Sequence, residues 1–371
     1  MHASFTADTV HYLLEHIPGK RIAVVGDLFL DRYLDIDPSL TEKSLETGLD
    51  AYQVVRVRPV PGAAGTIVNN LVALGVRHVY VLSCVGDDGE GYELRRELQR
   101  LDLHCDYLVT RPGRPTPTYT KPLVWVSRAS PCELHRLDIR PRTRLAPEWE
   151  GVLLSHVHFV WPRVDAVIVQ DQVVEENVGV VTAQVRDLIC HLAERSDQIV
   201  LADSRARIHR FRQVMLKPNR AECLEAARAL VQSADRGSAA SATSCPSLSL
   251  QQALRLLARQ AGKPVFCTCG EQGIAVCDPQ RETDDIVQAP AYPVSGPIDP
   301  VGAGDSVNAA LVSALACGAT LWQAACFANL VASITVSKLG TTGTASPEEI
   351  RRRWEEVQHA QLSAPGSGLG G

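Results

Sequence analysis

The 371-residue sequence has no Gly-x-x-x-x-Gly-Lys-Ser/Thr run, which excludes P-loop chemistry, and its first strand ends at Gly26-Asp27 rather than in a Gly-x-Gly-x-x-Gly turn, which speaks against a dinucleotide-binding entry. It also lacks a basic cluster: Arg351-Arg352-Arg353 sits among Glu348, Glu349, Glu355 and Glu356, and the formal net charge is −5. A nucleic-acid binder concentrates positive charge, so no nucleic-acid partner is expected. No apolar run reaches transmembrane length and the first residues carry no apolar signal core, so no membrane partner and a cytoplasmic location are expected. Metal-type cysteine spacing is missing as well. Cys267-Thr268-Cys269 lacks the two-residue spacer, and Cys132 with His135 has no second half. The eleven cysteines fall mostly in apolar runs, as at Cys84, Cys190, Cys267, Cys277 and Cys326, and are expected to be buried, reduced thiols.

Against these absences stands one stretch rich in chemistry, Asp299-Pro300-Val301-Gly302-Ala303-Gly304-Asp305-Ser306-Val307-Asn308. Val307, Leu311, Ala314 and Leu315 recur at helical spacing and Gly318 follows as a stop, so a helix over Ser306 to Cys317 is expected to begin within Gly302 to Asp305. The first N–H groups of a helix have no intrahelical acceptor and sit at its positive end, so Gly302, Ala303 and Gly304 can present backbone donors to a phosphoryl group. A carboxylate in that turn would repel the anion, yet it is well placed to take a proton from an attacking hydroxyl. Asp305 is the candidate base; the alternative is that it caps a helix.

Strand and helix signals alternate along much of the chain. An amphipathic helix over Thr6 to Ile17 precedes a buried strand at Arg21 to Val25, which ends at Gly26-Asp27, where open α/β sheets present ligand groups. Ala51 to Arg58, Pro117 to Val126 and Glu133 to Ile139 alternate polar with apolar and break the βα rhythm, so they are assigned to a small sheet apart from the main one. Helices are expected over Tyr92 to Leu101 and Val178 to Glu194, and strands at Val79 to Ser83, Ala166 to Val169 and Gln198 to Ala202. This alternation indicates a mostly parallel sheet covered on both faces. Asn219-x-x-Glu222 follows Lys217-Pro218 and reads either as a capping box or as an amide and carboxylate on one helix face that organise Mg²⁺ through water. Residues 232–249 are rich in Ser and Ala and form an expected mobile insertion, and 361–371 an expected flexible tail.

Taken together, Gly302 to Asp305, the Val24 to Tyr33 segment, Pro61 to Thr66, and Asn219 with Glu222 resemble, in order, the motifs of the ribokinase or PfkB family of carbohydrate kinases. The resemblance covers roughly residues 20–358 and implies a three-layer αβα fold with a small β lid, in one domain over 1–360 whose lid comes from about 33–60 and 117–139. Pro300 stands where the family often has Thr. The resemblance implies ATP and Mg²⁺ as cofactors and a sugar or sugar phosphate as acceptor. Asp27 would contact sugar hydroxyls, with Gly62, Ala63, Thr66 and Asn70 in the sugar turn. In that turn Ala63 replaces a Gly and Thr66 an Asn. Asn219, Thr268, Gly270, Gly273 and Asn329 would face the nucleotide, Asn219 and Glu222 the Mg²⁺, and Asp299 with the Gly340 to Thr344 turn a K⁺ ion. Lid sheets of the family often pair between subunits, so a homodimer is a possible assembly. Within the family the heptose-7-phosphate kinase branch looks nearest, through Gly26-Asp27 to Arg32-Tyr33, Thr120-Lys121, His135 to Asp138, and Cys326 to Asn329. A phosphorylated acceptor would need cations, for which Lys121, Arg136, Arg205 and Arg207 are candidates. Generic ribokinase or fructokinase activity is the runner-up, and a binding protein without catalysis is the alternative class.

Overall fold

Five consecutive buried positions mark Arg21–Gly26, seventh in the order of a nine-stranded sheet, as the strand central to both cores. The computed structural model describes residues 4–101, 103–125, 131–235, 248–281 and 286–363. Ala166–Asp171 and His78–Gly86 flank the central strand, both parallel to it. Ile199–Ser204, Met215–Leu216 and Val265–Thr268 extend one side and Leu108–Arg111 the other, again parallel. Ile274–Cys277 and Val287–Ala289 close the first edge in antiparallel fashion.

Side chains alternate along a strand, so the central strand feeds two cores. Ile22 and Val24 enter one, with helices Ala7–His16, Ala64–Ala73, Ala303–Ala316 and Leu321–Thr335. Ala23 and Val25 enter the other, with helices Pro147–Val160, Ala183–Glu194, Arg220–Asp235 and Leu250–Ala261. The result is a three-layer αβα architecture with a mostly parallel sheet.

A second sheet of five strands is built on Leu28–Ile36, which pairs antiparallel with Val54–Ala63 and parallel with Thr118–Val124. Leu137–Ile139 and Cys132–Glu133 pair with the last of these. The β lid therefore starts at Leu28, directly after Asp27, rather than near residue 33. Leu28, Phe29 and Leu30 are all buried and mask the alternation that begins at Asp31. The expected helix over Val178 to Glu194 begins only at Ala183, where Thr182 caps it by accepting from Val185 N. Helix Pro147–Val160 was absent from the sequence expectations, and its apolar residues explain why: Val152 and Phe159 are 36% and 50% exposed, so no clean stripe forms. Gln232 to Asp235 continue a helix rather than opening an insertion, Ser249 caps the next helix, and 236–247 lie outside the described residues; in the expected tail, residues 361–363 end helix Pro347–Ser363 and 364–371 lie outside the described residues.

The turn from the lid into helix Ala64–Ala73 passes through Ala63 at φ 52° and ψ −116°, a conformation that side-chain-bearing residues rarely adopt. Glycine would meet no such cost. Ala63→Gly is expected to raise unfolding free energy by about 1 kcal/mol, measured by urea denaturation, whereas a loss of stability would show that the turn is unstrained.

Candidate active site

Helix Ala303–Ala316 starts at Gly302, whose φ of 79° is left-handed. A Cβ on Gly302 would also stand 3.2 Å from Thr66 Cγ2 and from Thr342 Cγ2, so backbone and space both require glycine. The same contacts bring Thr66 and Thr342 against the helix start. Of the expected anion-holding amides, that of Ala303 donates to Pro300 O at 3.1 Å and closes the turn instead. Asp299 is likewise spent: its Oδ1 accepts from Val301 N at 3.1 Å and its Oδ2 from Gly340 N at 3.0 Å. It braces two turns, and the K⁺ expectation finds no support in this geometry.

Asp305 occupies the first helical turn. Burial pushes its pKa up to about 7, nearby Asp203 and Asp31 add to the rise, and Lys217 and Arg205 oppose it. Asp203 Oδ2 accepts from Lys217 Nζ and from Asn308 Nδ2, each at 2.8 Å. Lys217 is only 3% exposed. Burial alone would lower its pKa, but Asp203 with Glu222 and Asp305 more than offset this and keep it cationic. Its Nζ lies 3.3 Å from where a Cβ on Gly304 would stand, so the ammonium sits directly beneath the glycine turn. Asp203, Lys217 and Asn308 were not singled out from the sequence. Their signal was the position of Asp203 and Lys217 at the C-terminal ends of strands Ile199–Ser204 and Met215–Leu216, which only the strand order turns into proximity.

At the start of helix Arg220–Asp235, Asn219 N donates to Glu222 Oε2 at 2.8 Å and Glu222 N donates to Asn219 Oδ1 at 2.9 Å. The capping box is thus real. Burial raises the pKa of Glu222, opposed chiefly by the Asn219 amide and Lys217. Asn219 bridges to Thr268, and the neighbouring Gly270 and Gly273 both have positive φ, 58° and 81°. A Cβ on Gly273 would stand 2.1 Å from Ala289 O. The Asn329 amide donates to Ala289 O at 2.9 Å and to Pro290 O at 3.0 Å and holds the sheet edge.

The largest departures from expectation lie beside the β lid. Asp27 is buried, and its oxygens accept from three backbone amides, Gln172 and Val173 on Oδ2 and Val180 on Oδ1, at 3.0, 2.9 and 2.6 Å. It anchors the 172–180 loop and does not reach toward a sugar. Asp31, four residues on, faces the cleft instead. Its Cγ lies 3.0 Å from where a Cβ on Gly62 would be, and its charge couples to Asp305. The sequence held a signal for it, since Asp31, Tyr33 and Asp35 alternate along one strand. Lys121 is not free for a phosphate: its Nζ binds Asp31 Oδ2 at 3.1 Å and lies over the Tyr33 ring. Arg207 is buried against Asp171 at 2.6 Å, with Nη2 also donating to Val173 O, and braces the loop that Asp27 anchors. Asn70 is fully buried, and its Nδ2 donates to Thr66 O at 2.9 Å within the sugar-turn helix. Arg136 and Arg205 do come together, joined by Arg140, which the sequence reading missed. They line a cavity of about 230 Å³ with Phe29, Tyr119 and Gln172. Asp138 holds Arg136 and Arg140 at 2.7 and 2.9 Å, and both guanidinium groups lie over the Tyr119 ring.

The fold matches that of a ribokinase from Thermotoga maritima, with 16% identity, a TM-score of 0.65, and coverage of 91% of this chain and 99% of that one. A putative ribokinase II from E. coli in complex with ATP and Mg²⁺ matches with 16% identity, a TM-score of 0.62, and coverage of 91% and 99%. This class of ribokinase-like α/β enzymes is narrowed by sequence: residues 187–349 match the pfkB family carbohydrate kinase description, and the chain carries a carbohydrate kinase domain of that family. It is 31% identical over 344 residues to the bifunctional protein HldE of Bradyrhizobium sp. (strain ORS 278), covering 92% of this chain and 64% of that protein. The chain thus spans less than two thirds of that relative's length. No helix among the described residues is long and apolar enough to cross a membrane.

A base must be ionised to accept a proton, so kcat/KM is expected to fall as pH drops through about 7, the value of Asp305. A profile flat from pH 5 to 8 would contradict this. Asp305→Asn is expected to stay folded and bind ATP while losing on the order of 10²-fold or more in kcat; near-wild-type turnover would return Asp305 to the capping role.

Proposed function

We propose that this chain transfers the terminal phosphoryl group of ATP to a hydroxyl of a phosphorylated sugar, with residues 1–360 acting as one kinase domain. The observation that carries the reading is Asp305 at a helix N-terminus, with a pKa near neutrality and Lys217 beside the same turn. Asp305 accepts the hydroxyl proton, while the Gly302 and Gly304 turn, the helix end and the Lys217 ammonium stabilise the charge that moves from ATP to the sugar oxygen. Mg²⁺ supplies charge neutralisation on the phosphates when bound. Glu222 offers a carboxylate oxygen beyond the one its capping bond uses, and Mg²⁺ that keeps its waters fits such a sparse donor set.

On the acceptor side, Asp31 and the Gly62 to Thr66 turn take the sugar ring, since a carboxylate accepts strongly from hydroxyls. The cavity lined by Arg136, Arg140 and Arg205 supports an acceptor that already carries a phosphate, and among such acceptors a heptose 7-phosphate is the reading favoured here. A neutral sugar such as ribose or fructose is the second reading, supported by the pairing of both lid arginines with Asp138. Val55, Val57 and Leu137 on the lid are 58%, 48% and 64% exposed and support a homodimer through that sheet.

ADP release measured with heptose 7-phosphate, fructose 1-phosphate, fructose 6-phosphate, ribose and fructose tests the acceptor. The heptose phosphate is expected to lead. Preference for a neutral sugar by tenfold or more, about 1.4 kcal/mol in transition-state binding, would overturn the phosphorylated acceptor and leave the kinase assignment standing. Arg140→Ala is expected to raise KM for the phosphorylated sugar about tenfold with little change in kcat.

A further inference from the structure

The lid strand Leu137–Ile139 pairs antiparallel with Thr118–Val124 in a register that sets Asp138 directly opposite Tyr119. Side chains alternate along a strand, so Arg136, Asp138 and Arg140 share one face with that ring, and Leu137 and Ile139 take the other. The register alone assembles the cluster. A slip of one residue would turn all three charged groups away from the ring.

Asp138 ties the two arginines together. Its Oδ1 and Oδ2 accept from Arg136 Nε and Nη2 at 2.7 and 2.9 Å, and Oδ2 also accepts from Arg140 Nη2 at 2.9 Å. The two guanidinium carbons lie 4.1 and 5.5 Å from the centre of the Tyr119 ring, and two cations on one ring repel each other unless they share an anion. Burial would raise the pKa of Asp138, but its bonds to Arg136 and Arg140 outweigh this and hold it below the usual carboxylate range, so the anion persists near neutral pH. The ring is fixed in turn. Tyr119 packs against Phe29 with ring centres 4.9 Å apart, and Phe29 belongs to a small core with Val173 and Val178 of the 172–180 loop.

Both arginines line the cavity of about 230 Å³, whereas Asp138 is not among the described residues that do. It grips Arg136 by the Nε–Nη2 edge and Arg140 by Nη2, which leaves Arg136 Nη1 and Arg140 Nε and Nη1 outside the ion pairs. The carboxylate thus orders both side chains while donors remain for an incoming anion. We propose that Asp138 is a positioning residue for the acceptor's phosphate, an inference that rests on the reading that the acceptor is phosphorylated. Ordering long side chains during binding costs affinity, and here the ordering precedes binding.

The test measures kcat and KM of the intact chain with heptose 7-phosphate and with fructose 6-phosphate. The variants are Asp138→Asn, Asp138→Glu, Arg140→Ala, and Asp138→Asn in an Arg136→Ala/Arg140→Ala background. Asp138→Asn is expected to raise KM about tenfold with kcat near wild type, since two arginines must then be ordered during binding. Asp138→Glu, which keeps the carboxylate, is expected to recover most of that loss. In the background lacking both arginines, Asp138→Asn is expected to change KM by no more than about twofold, because a residue that acts through others has nothing left to act on. An equal rise in both backgrounds, a fall in KM for Asp138→Asn, or an unchanged KM for Asp138→Asn beside a raised one for Arg140→Ala would overturn the positioning role and keep the phosphorylated acceptor. An unchanged KM for both sugar phosphates in Arg140→Ala and in the arginine double variant would remove that acceptor and the positioning role together.

Discussion

The ion pair between Lys217 and Asp203, buried at 2.8 Å beneath the glycine turn, is the interaction on which the rest of the site depends. Each partner comes from the C-terminal end of a parallel strand, so the pair forms only when Ile199–Ser204 and Met215–Leu216 lie side by side. Removing water from both charges is costly, and such a pair is weak evidence for stability by itself. Its consequence is electrostatic. Burial raises the pKa of Asp305 most, Asp203 adds to the rise and Lys217 opposes it, leaving a carboxyl poised near neutral pH at the positive end of a helix.

A second buried charge system sets the geometry across the cleft. Asp27 accepts from three amides of the 172–180 loop, while Arg207 bonds Asp171 and the carbonyl of Val173 in the same loop. Burial and nearby Asp27 raise the pKa of Asp171 to about 6 against the pull of Arg207. Central strand, loop and lid are thereby tied at one point, because Leu28–Ile36 leaves the sheet immediately after Asp27. Asp31 reaches the cleft because the strand that carries it is anchored four residues earlier.

The αβα layers, the lid and the glycine turn were legible because each rests on local pattern: buried runs, alternation, and a glycine entry to an apolar helix. The place of Asp305 in the first turn of that helix was legible for the same reason. Asp27 was taken for the sugar ligand because a carboxylate after a buried strand looks alike whether it faces solvent or a loop 145 residues away, and only the three amides decide. Asp31 lay hidden in a strand whose first residues are all buried. Lys121 and Arg207 were chosen as cations for a phosphate, but sequence cannot show that each already has a carboxylate partner. Arg140 was passed over although it is the residue that, with Arg136 and Arg205, makes the lid cavity basic.

The central claim is that burial and the neighbouring charges together set the ionisation of Asp305, and the pH dependence of kcat/KM in Asp203→Asn tests the part carried by the charges most directly. The amide keeps the size of the side chain and removes the anion that raises Asp305, while Lys217 is left free to favour the ionised form. The acidic limb of the profile should move below the wild-type midpoint near 7. A limb that stays in place, with turnover intact, would contradict the account.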